Sequence, residues 1–364
     1  MTVKNKSNVI FILPSLAAGG AERVMSFVAQ NLNAQKYNIT LVVIGFEKDN
    51  AFEVKNINVV YLNKPRVVTG VFDCVLLFKK LKPVVVVSAL SNLNAYMGMI
   101  SVLFPKCKFI GREVNIGSVL KDHPEENNRY YPSIINKIGN KGLDYIICQS
   151  QDMYNDALQH PNLKKCNLVV INNPITKSFE IKKNKSSQTK KKTFKFITVG
   201  SLELRKGHSR ILKVLNQLRD IDFTYTIIGK GSQKENIFKK IKNYKLEDKV
   251  VYIEYTDKVA TYLAESDLFL QGSYVEGFPN ALLETCSVGT PAVAFNAPGG
   301  INEIIENNLN GYIADSEEEF KDKVLLATSK NWDSQLVHDS VYKKYNSTTI
   351  INKYEELIDY CISK

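Results

Sequence analysis

Two kinds of block alternate along this chain. Short runs are apolar throughout, as in VIFIL at 9–13, and the longer stretches between them repeat their apolar residues at helical spacing. In the first half the runs predict strands at 9–13, 38–45, 59–62, 84–87, 108–110 and 145–148, with helices over 21–35 and 71–81. Strands that are apolar on both faces and separated by helices imply a mostly parallel sheet covered on each side. The rhythm stops over 176–192 and then restarts. Strands are predicted at 194–199, 224–228, 250–253, 268–270 and 291–295, with helices over 208–218 and 280–288. A helical stretch over 340–362 closes the chain.

The fold class is therefore α/β, with two Rossmann-like domains facing a central cleft. The expected division is 1–175 for an N-terminal domain, 176–192 for a basic linker and 193–340 for a C-terminal domain. The last helix, 341–364, would pack back across the domain boundary. Open α/β sheets bind ligands at the carboxyl ends of their strands, so two such domains suit a reaction between two substrates. A length of 364 residues and an apolar content of 44% are enough for two cores of ordinary size.

Charge and cysteine content narrow the partners. Lysine and arginine number 48 against 37 aspartates and glutamates, a formal charge of +11, which favours anionic partners in general. Seven lysines fall between Lys182 and Lys195 in a polar stretch. They read as a solvated linker or as a patch facing a membrane or polymer. No stacking aromatics are interleaved with them, which argues against a nucleic-acid partner. The six cysteines form no CxxC pair and sit mostly in apolar runs, as buried free thiols of a reducing compartment do. The start, MTVKNKSNVIFILPSL, superficially suggests a secretion signal, but it runs into a loop and an amphipathic helix and reads better as a first buried strand. No apolar stretch reaches the ~18 residues of a membrane span.

Four segments carry candidate chemistry. Gly19 and Gly20 lie between the first strand and its helix, where backbone N–H groups can meet an anion, although neither a GxGxxG nor a Walker A pattern is present. In VGSLELRKGH, 199–208, Arg205 and Lys206 set two cations beside Gly207 at a second strand-to-helix junction. They can neutralise a diphosphate, or they can be a solvent-facing basic turn. In SYVEGFPNALLETCSVGTP, 273–291, Glu276 lies in a Gly- and Pro-shaped loop and Glu284 on the following helix. A carboxylate there can accept hydrogen bonds from paired sugar or ribose hydroxyls, but two acids at a helix start can also be ordinary dipole charges. In APGGINEII, 297–305, Gly299 and Gly300 precede a short helix. His208 reads as a packing residue. His123, His160 and His338 form no zinc signature, and no DxD motif is evident, so no metal site is read.

Taken together, these segments resemble the large retaining glycosyltransferase family 4, over nearly the whole chain. The opening GGAER, the KG turn, the glutamates 276 and 284 and the PGG loop occur in the family's order, and Asn172, Asn173 and Pro174 resemble its NP segment. The resemblance implies a GT-B fold with a nucleotide-sugar donor, UDP-linked, held mainly by the second domain, and no metal. Gly19 and Gly20 would line the diphosphate and reacting sugar, Lys206 would contact the diphosphate, and Arg205 would add charge. Glu276 would hold the donor sugar's hydroxyls and Glu284 the ribose. Phe278, Pro279 and Asn280 would shape the pocket with Gly299 and Gly300, and Gly229, Gly231 and Tyr255 would seat the base. Two departures stand out. Many members have arginine where Ser201 stands, and FIGREVN, 109–115, lacks a histidine found in others near Glu113. Arg112, Glu113 or Asn115 then remain to shape an acceptor site.

GGAER enzymes serve bacterial surface-polysaccharide or protein-glycan assembly. That implies transfer of a hexose or N-acetylhexosamine, with retention, to a glycan or polyprenyl-diphosphate-linked acceptor. The enzyme would be cytoplasmic and in peripheral contact with the anionic inner face of the membrane, with Lys79, Lys80 and Lys82 assisting. A nucleotide-sugar epimerase or phosphorylase on the same plan, or a non-catalytic nucleotide-sugar-binding subunit, is the alternative.

Overall fold

A computed structural model describes residues 6–114, 116, 118, 135, 138–160, 163, 166–183, 193–218 and 221–364. Asn115, His123 and most of the basic stretch 176–192 lie outside these residues. The chain forms two compact units. The first combines residues up to Thr176 with Ser347–Lys364, and the second runs Lys177–Asn346.

The first unit is built on seven parallel strands: β1 Ser7–Leu13, β2 Tyr37–Val43, β3 Asn58–Tyr61, β4 Val85–Ala89, β5 Lys108–Arg112, β6 Tyr145–Cys148 and β7 Asn167–Val170. Their order is β3-β2-β1-β4-β5-β6-β7. β1 is central because its side chains are apolar on both faces. Val9, Phe11, Ile12 and Leu13 are fully buried, with Ile10 set beside Thr40 on one flank and Val86 on the other. Helices α1 Gly20–Asn31, α2 Val67–Leu81, α3 Ser91–Ile100 and α4 Gln151–Gln159 make the crossovers. α2 starts earlier than its hydrophobic run suggests, because Val67 and Gly70 already belong to its buried face.

The second unit repeats the plan. Its strands are β8 Phe194–Val199, β9 Phe223–Ile228, β10 Val250–Ile253, β11 Leu268–Gln271, β12 Ala292–Phe295 and β13 Gly311–Ala314, all parallel, in the order β10-β9-β8-β11-β12-β13. Its helices are α5 His208–Leu215, α6 Lys234–Asn243, α7 Val259–Glu265, α8 Asn280–Ser287, α9 Ile301–Ile304, α10 Glu317–Ser329 and α11 Ser334–Tyr345. Tyr225 donates to Thr198 Oγ1 at 2.8 Å, and that hydroxyl donates to the Leu270 carbonyl at 2.7 Å. This buried relay ties β9, β8 and β11 together without leaving a polar group unpaired.

The C-terminal stretch, expected as one helix, is two. Asn346 adopts an extended conformation and ends α11, and α12, Ser347–Ser363, follows. α12 belongs to the first unit. Ile350, Ile351, Tyr354, Ile358 and Cys361 form its buried face, and Asn33 N–H donates to Glu355 Oε1 at 2.7 Å. Lys36 pairs with Asp359 at 3.0 Å.

In both sheets the strand order reverses once, between β1 and β4 and between β8 and β11. At such a point adjacent crossovers leave in opposite directions, and a crevice opens at the strands' carboxyl ends. The loops after β8 and β11 hold the residues described next.

Candidate functional site

β8 ends at Val199, and the chain runs through Gly200 and Ser201 to a single 3-10 turn, Leu204–Lys206. Gly207 then takes a left-handed conformation, φ 62°. A Cβ there would lie 1.8 Å from the Gly272 carbonyl oxygen, so only glycine lets this turn rest against the loop after β11. That loop delivers Glu276, and the two partners meet: Lys206 Nζ is 2.7 Å from Oε1 and 2.8 Å from Oε2 of Glu276.

Glu276 is held from other sides as well. Its Oε1 accepts from Ser273 Oγ at 2.5 Å and from Gln271 Nε2 at 2.9 Å. Its backbone N–H donates to the Pro298 carbonyl at 2.9 Å. Gly299, at φ 117°, lies so close that a Cβ would be 2.0 Å from the Glu276 carbonyl oxygen. The PGG loop is thus the backing of the Glu276 loop. Burial by itself would raise the Glu276 carboxyl, but the charges of Lys206 and Arg205 and the hydrogen bonds outweigh it. They hold the group below the usual carboxylate value, and it is ionised at neutral pH.

Three residues that the sequence does not single out complete the support. Arg210, on α5, donates through Nε to the Gly272 carbonyl at 2.5 Å and through Nη2 to the Ser273 carbonyl. Its guanidinium lies 4.1 Å from the Tyr274 ring centroid and 3.8 Å from that of Phe295. Burial lowers its pKa to about 10, so it is a cation. Gln271 and Ser273 carry no signal of their own in the sequence. Their role appears only when the carboxylate they serve folds back onto them. His208 is buried, and Nε2 sits 3.0 Å from the Ser201 carbonyl, to which it must donate. Burial lowers its pKa to about 4, leaving the ring neutral, with Nδ1 buried and without a hydrogen-bond partner among the described residues. The residue in place of the arginine at 201 is therefore held through its backbone.

The other expected residues fall in different places. Arg205 adds its charge to the field at Glu276, and its carbonyl accepts from Tyr274 N–H at 2.8 Å. Gly229 and Gly231 follow β9 in a loop laced to the one after β8: Leu202 N–H donates to Lys230 at 2.9 Å, and Gln233 N–H to Leu202 at 2.8 Å. Phe278 is buried against Tyr345, ring centroids 5.3 Å apart, and so packs the core. Pro279 caps α8, Asn280 opens it, and Glu284 is half-buried farther along it. Gly300 caps α9. Tyr255 stands largely exposed past β10. Gly19 and Gly20 open α1 in the first unit, with the Glu22 carboxylate folded over Gly19.

In the first unit Arg112 and Glu113 are buried at the end of β5. Arg112 donates to Asn173 Oδ1, and its charge acts on the Tyr354 hydroxyl. Glu113 accepts from Ser91 Oγ at 2.6 Å and from Asn94 Nδ2 at 3.2 Å, and burial raises its pKa. His338 Nδ1 lies 2.6 Å from the Ser287 carbonyl. Among the described residues no group of three or more His, Cys, Asp and Glu side chains could hold a metal ion.

The chain is similar to known proteins. Residues 179–345 match the family described as glycosyl transferases group 1. An uncharacterized glycosyltransferase of Haemophilus influenzae is 30% identical over 311 residues, spanning 84% of this chain and 85% of that protein. A Campylobacter jejuni N-acetylgalactosamine-N,N'-diacetylbacillosaminyl-diphospho-undecaprenol 4-alpha-N-acetylgalactosaminyltransferase is 28% identical over 126 residues, 34% of each chain. The solved structure of Anabaena HepE in complex with UDP and glucose superposes with a TM-score of 0.74 at 16% identity, covering 97% of this chain and 100% of that one. This last likeness carries the fold, which is GT-B.

Proposed function

Because the chain belongs to the group 1 glycosyltransferases, we propose that it moves a hexose or N-acetylhexosamine from a UDP-sugar to a glycan or polyprenyl-diphosphate-linked acceptor, with retention at the anomeric carbon. The observation that carries this reading is the buried Lys206–Glu276 pair at the switch point of the second sheet. It sets a cation and a carboxylate side by side, as a substrate with an anionic diphosphate beside a polyhydroxylated ring requires.

In this reading Lys206 and Arg205 neutralise the charge that develops on the departing diphosphate, and no metal is assigned to that task. Glu276 accepts hydrogen bonds from the donor sugar's hydroxyls and favours positive charge at the ring, without a covalent step. The acceptor hydroxyl attacks the anomeric carbon as the bond to the diphosphate breaks, from the face the diphosphate leaves, and its proton passes to the leaving phosphate. Glu284 takes the ribose, and the backbone around Gly229 to Gly231 the base. The choice of UDP draws support from the UDP-bound HepE structure, and that of a lipid-linked acceptor from the Campylobacter jejuni relative's name.

The test is a calorimetric screen of UDP-, GDP- and ADP-sugars. Mass spectrometry of transfer to added glycan and polyprenyl-diphosphate acceptors then compares the wild type with Glu276→Gln. Full turnover in the folded variant ends the assignment of Glu276. Epimerised sugar or sugar phosphate as the product moves the protein to another reaction. Donor binding with no product on any acceptor makes it a binding subunit.

A further inference from the structure

The hydrogen bonds on the Glu276 carboxylate divide unevenly between its two oxygens. Oε1 accepts from Ser273 Oγ at 2.5 Å, from Gln271 Nε2 at 2.9 Å and from Lys206 Nζ at 2.7 Å. Among the described residues Oε2 accepts from Lys206 alone, at 2.8 Å. Gln271 Nε2 also donates to Ser273 Oγ at 2.7 Å, so these two side chains brace each other as well as Oε1. Both belong to β11 or the loop after it, the segment that carries Glu276. Oε1 is therefore the anchored oxygen. Oε2 is the one left for a ligand, and Lys206 covers it.

The lysine comes from elsewhere, the turn after β8, and its side chain is the more exposed member of the pair. In the glycosyltransfer reading its ammonium serves the donor's diphosphate, and the carboxylate serves the sugar's hydroxyls. Both tasks conflict with the pair. The diphosphate and Glu276 compete for one ammonium, and a sugar hydroxyl competes with that ammonium for Oε2. A diphosphate carries more charge than one carboxylate and can draw the ammonium off. Glu276 then keeps Ser273, Gln271 and the charge of Arg205, which leave Oε1 anchored and Oε2 open.

We propose that Glu276 is an internal competitor for Lys206 and thereby sets which nucleotide the site prefers. A sugar-bearing nucleoside diphosphate replaces both halves of the pair, with phosphate on Lys206 and hydroxyls on Oε2. The bare nucleoside diphosphate replaces only one half and leaves Oε2 buried without a donor. The proposal rests on the reading of Lys206 and Glu276 as donor-site residues. It adds that the same carboxylate weakens the hold on the spent nucleotide and so favours its release after transfer.

The experiment is calorimetric titration of the full chain with UDP, GDP and ADP, without sugar. It compares the wild type with Glu276→Gln, Lys206→Met and the double variant. Glu276→Gln keeps the size of the side chain and frees the ammonium, so the nucleotide that binds should bind this variant roughly tenfold tighter than the wild type. In the Lys206→Met background the same exchange should bring no gain, and binding too weak to measure in both proteins counts as none. Equal or weaker binding by Glu276→Gln overturns the proposal, as does an equal gain in the Lys206→Met background. Should Glu276→Gln not fold, Glu276→Asp, which withdraws the charge by one methylene, must show a gain of the same sign. A bound nucleotide without the gain ends this proposal and leaves the glycosyltransfer reading standing. The gain without any transfer product does the reverse, and no nucleotide bound by either protein ends both.

Discussion

Lys206 and Glu276, 70 residues apart in sequence, share two hydrogen bonds in the interior of the second unit. The side chain of Glu276 is 6% exposed and that of Lys206 20%. Removing Lys206 leaves the buried Glu276 carboxylate with only the Arg205 charge and the Ser273 and Gln271 hydrogen bonds to hold it. Lys206→Met alone should therefore destabilise the protein by about 3 kcal/mol. Lys206→Met with Glu276→Gln should recover much of that stability and none of the turnover. Urea denaturation of the single and double variants measures the coupling, and single variants with no stability loss would contradict a closed pair.

The glycines of the site differ in what they tolerate. A Cβ at Gly19 would meet the carboxylate end of the Glu22 side chain, and the Gly19 backbone is extended, φ −140°. Gly19→Ala should keep stability within about 0.5 kcal/mol, so a loss of turnover would report on substrate approach. A Cβ at Gly299 would meet the Glu276 backbone, and its φ of 117° disfavours any side chain. Gly299→Ala should cost about 2 kcal/mol and displace the glutamate. Thermal melts paired with transfer assays separate the two outcomes.

His208 makes stability depend on pH in a defined direction. Its folded pKa is about 4 against an ordinary 6.5, so between those values the unfolded chain binds a proton that the folded one refuses. The contribution is fully present above pH ~6.5 and is lost as pH falls towards ~4, about 3 kcal/mol over the window. Denaturation free energies of the wild type and His208→Gln, measured across this range, should diverge on the neutral side. Parallel curves would remove His208 from the account.

The thiols should be inert. Burial pushes Cys74, Cys107, Cys148 and Cys286 up to about 12, and all six cysteines are free. A thiol reagent at pH 8 should label these four only as fast as the protein unfolds. Rapid native labelling of any of them would contradict its burial.

Much of this was legible in the sequence for one reason: strands such as β1, over 9–13, and β12 are buried on both faces and are apolar throughout. The edge strands β7 and β13 gave no such signal. Asn167–Val170 is half-buried, and Gly311–Ala314 opens with a glycine and is only four residues long. The break at Asn346 was hidden because apolar spacing continues across it and one extended residue suffices to end α11. Within the site, Lys206 and Glu276 were legible because each sits in a loop shaped by glycine. Arg210 was not. On an amphipathic helix an arginine reads as solvent-facing, and only the folded chain brings the Gly272 and Ser273 carbonyls and two aromatic rings around it. The contact of the Phe278 ring with Tyr345 joins segments far apart in the sequence, and no local pattern announces it.

The return of α12 to the first unit sets an order of events on the ribosome. Residues 347–364 are synthesised after the whole of Lys177–Asn346, so the earlier unit waits for its last helix while the later, contiguous one can close as it emerges. Until then the surface that will receive Tyr354 and Ile358, both buried in the finished protein, stays open to chaperones and proteases. In stalled nascent chains lacking that segment, protease resistance should appear first in the half of the protein that was made second.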